Sequence, residues 1–256
     1  MSAYYPVGAT RVEGETVGTS TTRASVGIPA AYHQAIIYQA STDFRLHLNP
    51  AVLDVVYYDN SATSKWVSAG SNSSLLVDVS DRSTGTGTGT VMDSGTTTDR
   101  LYICFSEPVT GLYVDVKAVN GNSSVLAAHY YNGSSFAAVS SLSDGTISSG
   151  KTLAQDGEVT FTAITDWRAG SLFDQVDDRS APGTNGYWLR LSWGSALDSD
   201  TEIGNLWSIN KDTNRGYYRA NQEYLFSFDR RAVGALEAVV ASSTGTLQIT
   251  WIRTVQ

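Results

Sequence analysis

The chain is poor in reactive and cationic residues. Its 256 residues include one cysteine, Cys104, so no intramolecular disulfide can form and no cysteine-rich metal centre can be assembled. The only histidines are His33, His47 and His129, and none stands in an H-E-x-x-H arrangement. No G-x-S-x-G elbow is present, which removes the sequence basis for a serine nucleophile. Lysine and arginine number 17 against 25 acidic residues, a formal net charge of −8 with no basic run. That balance argues against nucleic acid as a partner, because phosphate binding draws its affinity from clustered cations. No segment reaches the ~20 consecutive apolar residues that cross a bilayer as a helix, and the N-terminus lacks the charged and apolar segments of a secretory signal. The expectation is synthesis in the cytosol, with no membrane partner.

What the chain does have is an apolar fraction of 41%, enough for a true core, together with 23 glycines and abundant serine and threonine. The second half repeats one construction: a short aromatic-rich alternating run, a turn of Gly, Asn, Asp or Ser, then another run. Leu112, Val114 and Val116 fall on one face, and Tyr113, Asp115 and Lys117 on the other, the period of two that a half-buried strand requires. Glu158 to Ile164 continues the pattern with Val159, Phe161 and Ala163 inward. Tyr187, Leu189, Leu191 and Trp193 repeat it, leaving Trp188 and Arg190 together on the opposite face. Asn132-Gly133, Asp144-Gly145 and Asp156-Gly157 supply turns that tolerate positive φ. Cys104 falls inside the run Leu101 to Phe105 and reads as a small buried hydrophobe.

Strands of this kind cannot bury their faces alone, so they predict two packed layers: an all-β, antiparallel, jelly-roll-like β-sandwich. Residues 1–27 have no lasting period and read as an extended N-terminal arm, with 28–256 a single elaborated sandwich and a sub-boundary near residue 99. Val52 to Tyr58 reads as a strand buried on both faces. Ser83 to Thr90, an alternating Gly-Thr run, reads as a loop or a flat edge strand. Phe173 to Gly186 is the longest polar interruption of the second half, and its Asp174, Asp177, Asp178 and Arg179 are expected to be solvated.

The segments LYICFSEPVTGLYVDV, HYYNGSSFAAV, the SDGT turn, KTLAQDGEVTFTAITDW and GYWLRLSW resemble a recurrent β-sandwich module of tailed-bacteriophage virion structural proteins. The likeness is carried by Tyr130, Asn132, Gly133, Asp144, Gly145, Thr146, Leu153, Gln155, Asp156, Gly157, Asp166, Trp167, Tyr187, Trp188, Arg190 and Leu191. DFRLHLNPAVLDVVYYD, TGTVMDS and EYLFSFDRRAVGALEA extend it over most of the chain after the arm. The resemblance implies a virion component with no catalytic residues and no cofactor.

The expected role is a capsid decoration or cement protein on the virion surface, made in the host cytoplasm. Its expected partners are the major capsid protein and copies of itself, with a trimer favoured. Tyr4, Tyr5, Val7, Arg11 and Arg23 are the candidate contacts of the arm, because aromatic and arginine side chains give dense anchoring area. Trp188 and Arg190 form a second candidate. Trp188 is a second buried layer, an intersubunit contact or a ligand platform. The competing class is a tail- or baseplate-associated binding module that recognises carbohydrate on exposed indoles. Asp174, Asp177 and Asp178, or Asp198 and Asp200, offer oxygen ligands for calcium, but they lack the D-x-D-x-D-G spacing and read more simply as solvated loop carboxylates. His47 and His129 read as satisfied strand histidines.

Overall fold

A computed structural model describes residues 9–19, 24–27, 34–38, 44–62, 66–67, 90–92, 94–210, 216–218, 224–227, 233–240 and 245–254. The fold is all-β and antiparallel, as the alternation predicts. The chain divides into two compact units, residues 1–49 with 211–256, and residues 50–210. This differs from the single domain expected from residue 28 onward. Nor does a boundary fall near residue 99. Asp99 is 3% exposed and accepts hydrogen bonds from the Asn60 and Thr96 amides at 2.9 and 2.6 Å, tying neighbouring strands of one unit together.

The first unit contributes β1 (Ala9–Thr19), β2 (Ala24–Gly27), β3 (Gln34–Tyr38) and β4 (Phe44–Pro50). The second contains β5 (Val52–Tyr58), β6 (Trp66–Val67), β7 (Thr90–Val91), β8 (Arg100–Phe105), β9 (Gly111–Ala118), β10 (Leu126–Tyr131), β11 (Phe136–Ala138) and β12 (Ser143–Asp144). It continues with β13 (Gly157–Thr160), β14 (Gly170–Ser171), a short helix α1 (Leu172–Val176), β15 (Asn185–Trp193) and β16 (Glu202–Ile209). The chain then returns to the first unit with β17 (Gly216–Tyr218), β18 (Tyr224–Ser227), β19 (Val233–Val240) and β20 (Gly245–Thr254).

The first unit holds two four-stranded sheets, ordered β1-β20-β3-β18 and β17-β4-β19-β2. Within the segment read as an extended arm, the described residues Ala9–Thr19 and Ala24–Gly27 are strands. β1 pairs with β20 from Ala9 opposite Thr254 to Thr19 opposite Gly245, with a bulge between Val12 and Gly14, and β2 pairs with β19. The pairing partner lies at the other end of the chain, and local periodicity carries no trace of it.

The second unit is a jelly roll. β7 pairs with β16, β8 with β15, β9 with β13 and β10 with β11, the ladder of one long hairpin. Alternate pairs lie in opposite sheets, one of seven strands ordered β11-β10-β15-β8-β5-β6 with β14 also paired to β15, the other of five ordered β12-β13-β9-β16-β7. Between the sheets lies a core that includes Leu101, Ile103, Phe105, Leu112, Val114, Leu189 and Leu191. Val116, Val159 and Trp193 join it, on the inward face read from the sequence. Ala163 does not. β13 ends at Thr160, the Phe161 amide donates to Thr110 O at 2.9 Å, and Ala163 is exposed.

A second buried cluster lies on the opposite face of the seven-stranded sheet and comprises Val56, Tyr102, Cys104, Leu172, Ala181 and Trp188. Leu172 and apolar residues of the polar interruption that follows it cover this face, while Asp174, Asp177 and Arg179 are exposed as expected and Asp178 is half-buried. Leu172 is 0% exposed at the start of α1, and Ala181 is buried beyond it. Covering both faces explains why β8 is buried along almost its whole length, and why burial pushes the Cys104 thiol far above its ordinary range.

Candidate functional site

The motif turns lie at both ends of the jelly roll. Asn132-Gly133 follows β10, while the segment after Asp144 bonds the loop that precedes β10, with the Asn120 amide donating to Leu153 O at 2.8 Å and the Thr152 amide to Ser124 O at 3.1 Å. Asn132 Oδ1 accepts from the Ser134 and Ser135 amides, both at 3.0 Å, and Gly133 sits at φ 101°, which closes the β10–β11 hairpin. Asp144 Oδ1 accepts from the Thr146 amide at 2.9 Å and hydroxyl at 2.6 Å, while Oδ2 accepts from Thr152 Oγ1 at 2.6 Å. Thr146 Oγ1 accepts from the Leu153 amide at 2.9 Å. Asp156 Oδ1 accepts from the Val116 amide at 2.8 Å, and a Cβ on Gly157 would stand 2.3 Å from Gly145 O, so these two glycines permit a backbone approach that no other residue allows. Trp167 is buried in the core beside Phe105, Phe161 and Tyr187. Each element of the motif string thus has a structural task.

The surface with binding character lies on the outer face of the seven-stranded sheet. There the cross-strand register places His129 of β10 opposite Arg190 of β15, Arg190 opposite Tyr102 of β8, and Tyr102 opposite Val56 of β5. An aromatic strip crosses the same face. Ring centroids are 4.8 Å apart for Tyr58 and Trp66, 5.5 Å for Trp66 and Tyr102, 5.6 Å for Tyr102 and Phe136, and 5.7 Å for Tyr131 and Phe136. The Arg190 guanidinium carbon lies 4.9 Å from the Phe136 ring centroid, within cation–π range, and its side chain hydrogen-bonds that of Tyr102. Trp66 Nε1 donates to Asp178 Oδ2 at 2.8 Å, anchoring the strip to the segment after α1.

Two arginines, Arg100 and Arg190, stand on this face together with the carboxylate of Asp54, which accepts from Thr184 Oγ1 at 2.6 Å, and that of Asp178. Arg100 Nη1 donates only to backbone carbonyls, Thr97 O at 2.7 Å and Asp99 O at 2.6 Å. Among the described residues, neither Arg100 nor Arg190 has a carboxylate partner, and Lys117 with Glu202, at 2.8 Å, is an ion pair on the other sheet. Burial lowers the Arg190 pKa from its ordinary value, and the Arg100 charge lowers it further. Burial, then the charges of Arg190 and Arg100, also hold the His129 imidazole below its usual value and favour the neutral ring. Two buried polar atoms here have no partner, His129 Nδ1 and Arg190 Nε. His129 is accordingly not the satisfied strand histidine expected from its position.

The other anticipated residues fall differently. Trp188 is 0% exposed, with Nε1 donating to Gly170 O at 3.1 Å and Thr184 O at 3.2 Å, so it is the second buried layer and neither a platform nor an intersubunit contact. Arg190, its neighbour, does reach the binding face. Arg11 lies in β1 opposite Ile252 of β20, in a sheet ladder. Tyr4, Tyr5, Val7 and Arg23 lie outside the described residues, as do His33 and most of the Gly-Thr run.

Of the carboxylates considered for calcium, Asp174, Asp178 and Asp198 bond groups of their own loops. Asp178 Oδ1 accepts from the Ser180 amide and hydroxyl, Asp174 bonds Ser171, and Asp198 Oδ1 accepts from Thr201 Oγ1 at 2.7 Å, the main cause of its lowered pKa. Among the described residues no group of three or more His, Cys, Asp or Glu side chains is gathered to hold a metal. On the far face of the five-stranded sheet Trp207 stacks on Tyr113 at 4.5 Å and 11°. Bulges on either side of Ile203 set the phase that turns Trp207 away from the core while Leu206 and Ser208 are buried.

Compared with known proteins, the chain matches no family model and no curated protein.

Proposed function

We propose that this protein is a non-enzymatic structural component of a tailed-phage virion, a capsid decoration protein that binds and stabilises the assembled head. The observation that carries this reading is the fate of the motif string. The residues that resemble the phage module, from Asn132 to Trp167, supply the β10–β11 hairpin, an interlocked pair of turns over Asp144 to Gly157 and the core residue Trp167 of a jelly roll, so the motif string is used as structure and not as a reactive centre. A double-layered sandwich of this kind is a rigid adhesive body, and its partners are the shell and further copies of itself.

A tail- or baseplate-associated module is the second reading, favoured by one observation: the aromatic strip with two arginines lacking carboxylate partners on the outer face. Copy number separates the two. Quantitative mass spectrometry of purified particles should find this chain at an abundance comparable to the major shell protein if it decorates the head. A few copies per particle would move it to the tail, and its absence from particles would overturn both.

A further inference from the structure

We propose that the outer face of the seven-stranded sheet, centred on Arg190, His129 and Arg100 and floored by Tyr131, Phe136 and Trp66, is a binding site for an acidic saccharide whose sugar units carry carboxylates. The inference rests on the adhesive, non-enzymatic reading above and does not depend on a head or tail location.

Three features converge on that ligand class. The first is charge. A guanidinium that is partly buried and has no counter-ion is costly, and a carboxylate presented to its planar fork compensates it with short, parallel hydrogen bonds. Arg190 and Arg100 sit on one face, close enough for the Arg100 charge to lower the Arg190 pKa, with no carboxylate of the described residues serving either. The second is hydrogen bonding. His129 Nδ1 and Arg190 Nε are buried and unpartnered. Arg190 Nε can only donate, whereas a neutral imidazole nitrogen asks for a donor or an acceptor according to its tautomer, and a sugar hydroxyl serves either need.

The third feature is shape. Four ring contacts between 4.8 and 5.7 Å run from Tyr58 to Tyr131; Tyr102 in their middle is buried, and the half-buried rings of Trp66 on one side and of Phe136 and Tyr131 on the other offer apolar surface to the C–H faces of pyranose rings. A long polyanion such as nucleic acid is disfavoured, because the patch is local and the whole chain carries −8. An acidic peptide would also neutralise the arginines but brings no pyranose faces to the rings, and polyglutamate is therefore the competing ligand in the test.

Trp66, part of the strip, provides the readout. Full-length protein is titrated with trigalacturonate, with its methyl ester, and with a short polyglutamate while Trp fluorescence and calorimetric heat are followed. Trigalacturonate should bind with an affinity that falls as salt rises. The methyl ester, and the variants R100Q and F136A, should each bind on the order of tenfold more weakly, the loss of one charge-assisted or stacking contact. R100Q removes a side chain whose bonds go only to backbone carbonyls near the strand end, so its fold is retained, and F136A tests the floor independently of charge. Failure of trigalacturonate to bind overturns the proposal, as does equal binding of its ester or tighter binding of polyglutamate. Recovery of shortened saccharide after binding would leave the site standing and remove the non-enzymatic reading.

Discussion

Replacing Asp144 by alanine tests whether the D-G-T turn holds the jelly roll together. The carboxylate satisfies the Thr146 amide and hydroxyl and the Thr152 hydroxyl at 2.9, 2.6 and 2.6 Å, and both threonines are 0% exposed. Water cannot replace these bonds without opening the turn. The two hydroxyls stand 3.4 Å apart and can partly serve each other, so the variant leaves about two buried donors unmet. At ~1–3 kcal/mol for each stranded donor, D144A should cost about 2–5 kcal/mol, a large share of the ~5–15 kcal/mol typical of a whole domain. D144N keeps Oδ1 as an acceptor and lets the Thr152 hydroxyl turn to accept from the new amide, so it should cost only about 1 kcal/mol. Equilibrium urea unfolding followed by Trp fluorescence reads this unit well, since five of the six tryptophans lie within residues 50–210 and only Trp251 lies in the other unit. A loss below about 1 kcal/mol for D144A, or equal losses for the two variants, would refute the argument from stranded donors.

Two further outcomes follow from close packing and from charge. In G186A the added Cβ would meet Cys104 Sγ at 2.5 Å and Phe105 O at 2.7 Å, so the denaturation midpoint should fall by the equivalent of ~1–3 kcal/mol or more. G194A, whose nearest atom is 3.8 Å away, should leave it unchanged, and a tolerant G186A would contradict the packing. His129 has a folded pKa below its ordinary value of 6.5, so the unfolded chain binds more protons as pH drops through that value. Its contribution is present above pH 6.5 and is lost as pH falls toward the folded pKa, hence between pH 7 and 5 the natural protein should lose more stability than H129Q. Parallel pH profiles for the two proteins would count against this.

Much of the second unit was legible because its information is local. Leu112, Val114 and Val116, or Leu189, Leu191 and Trp193, declare their inward face by alternation, and the Asn132-Gly133 hairpin declares itself by φ preference. Alternation fails where a strand stops, which is why Ala163 faces outward, and where a bulge sets the phase, as beside Ile203 before Trp207. It also cannot say whether the second face of a sheet is covered. Trp188 is buried because Leu172 and Ala181 pack beside it, and five helical residues, LFDQV, are too few to show a helical period. The candidate site was hidden for a related reason. His129, Arg190 and Tyr102 become neighbours only through the strand order β10-β15-β8, which no local pattern encodes.

The pairing of β1 with β20 has a consequence for biosynthesis. As the nascent chain emerges, Ala9 to Thr19 has no sheet partner until residues 245 to 254 have been added, whereas residues 50–210 are contiguous and hold every strand of their own roll. The inserted unit can mature on the ribosome while the opening strands wait, and Gly245 to Thr254, added after it, complete the sheet begun by Ala9 to Thr19.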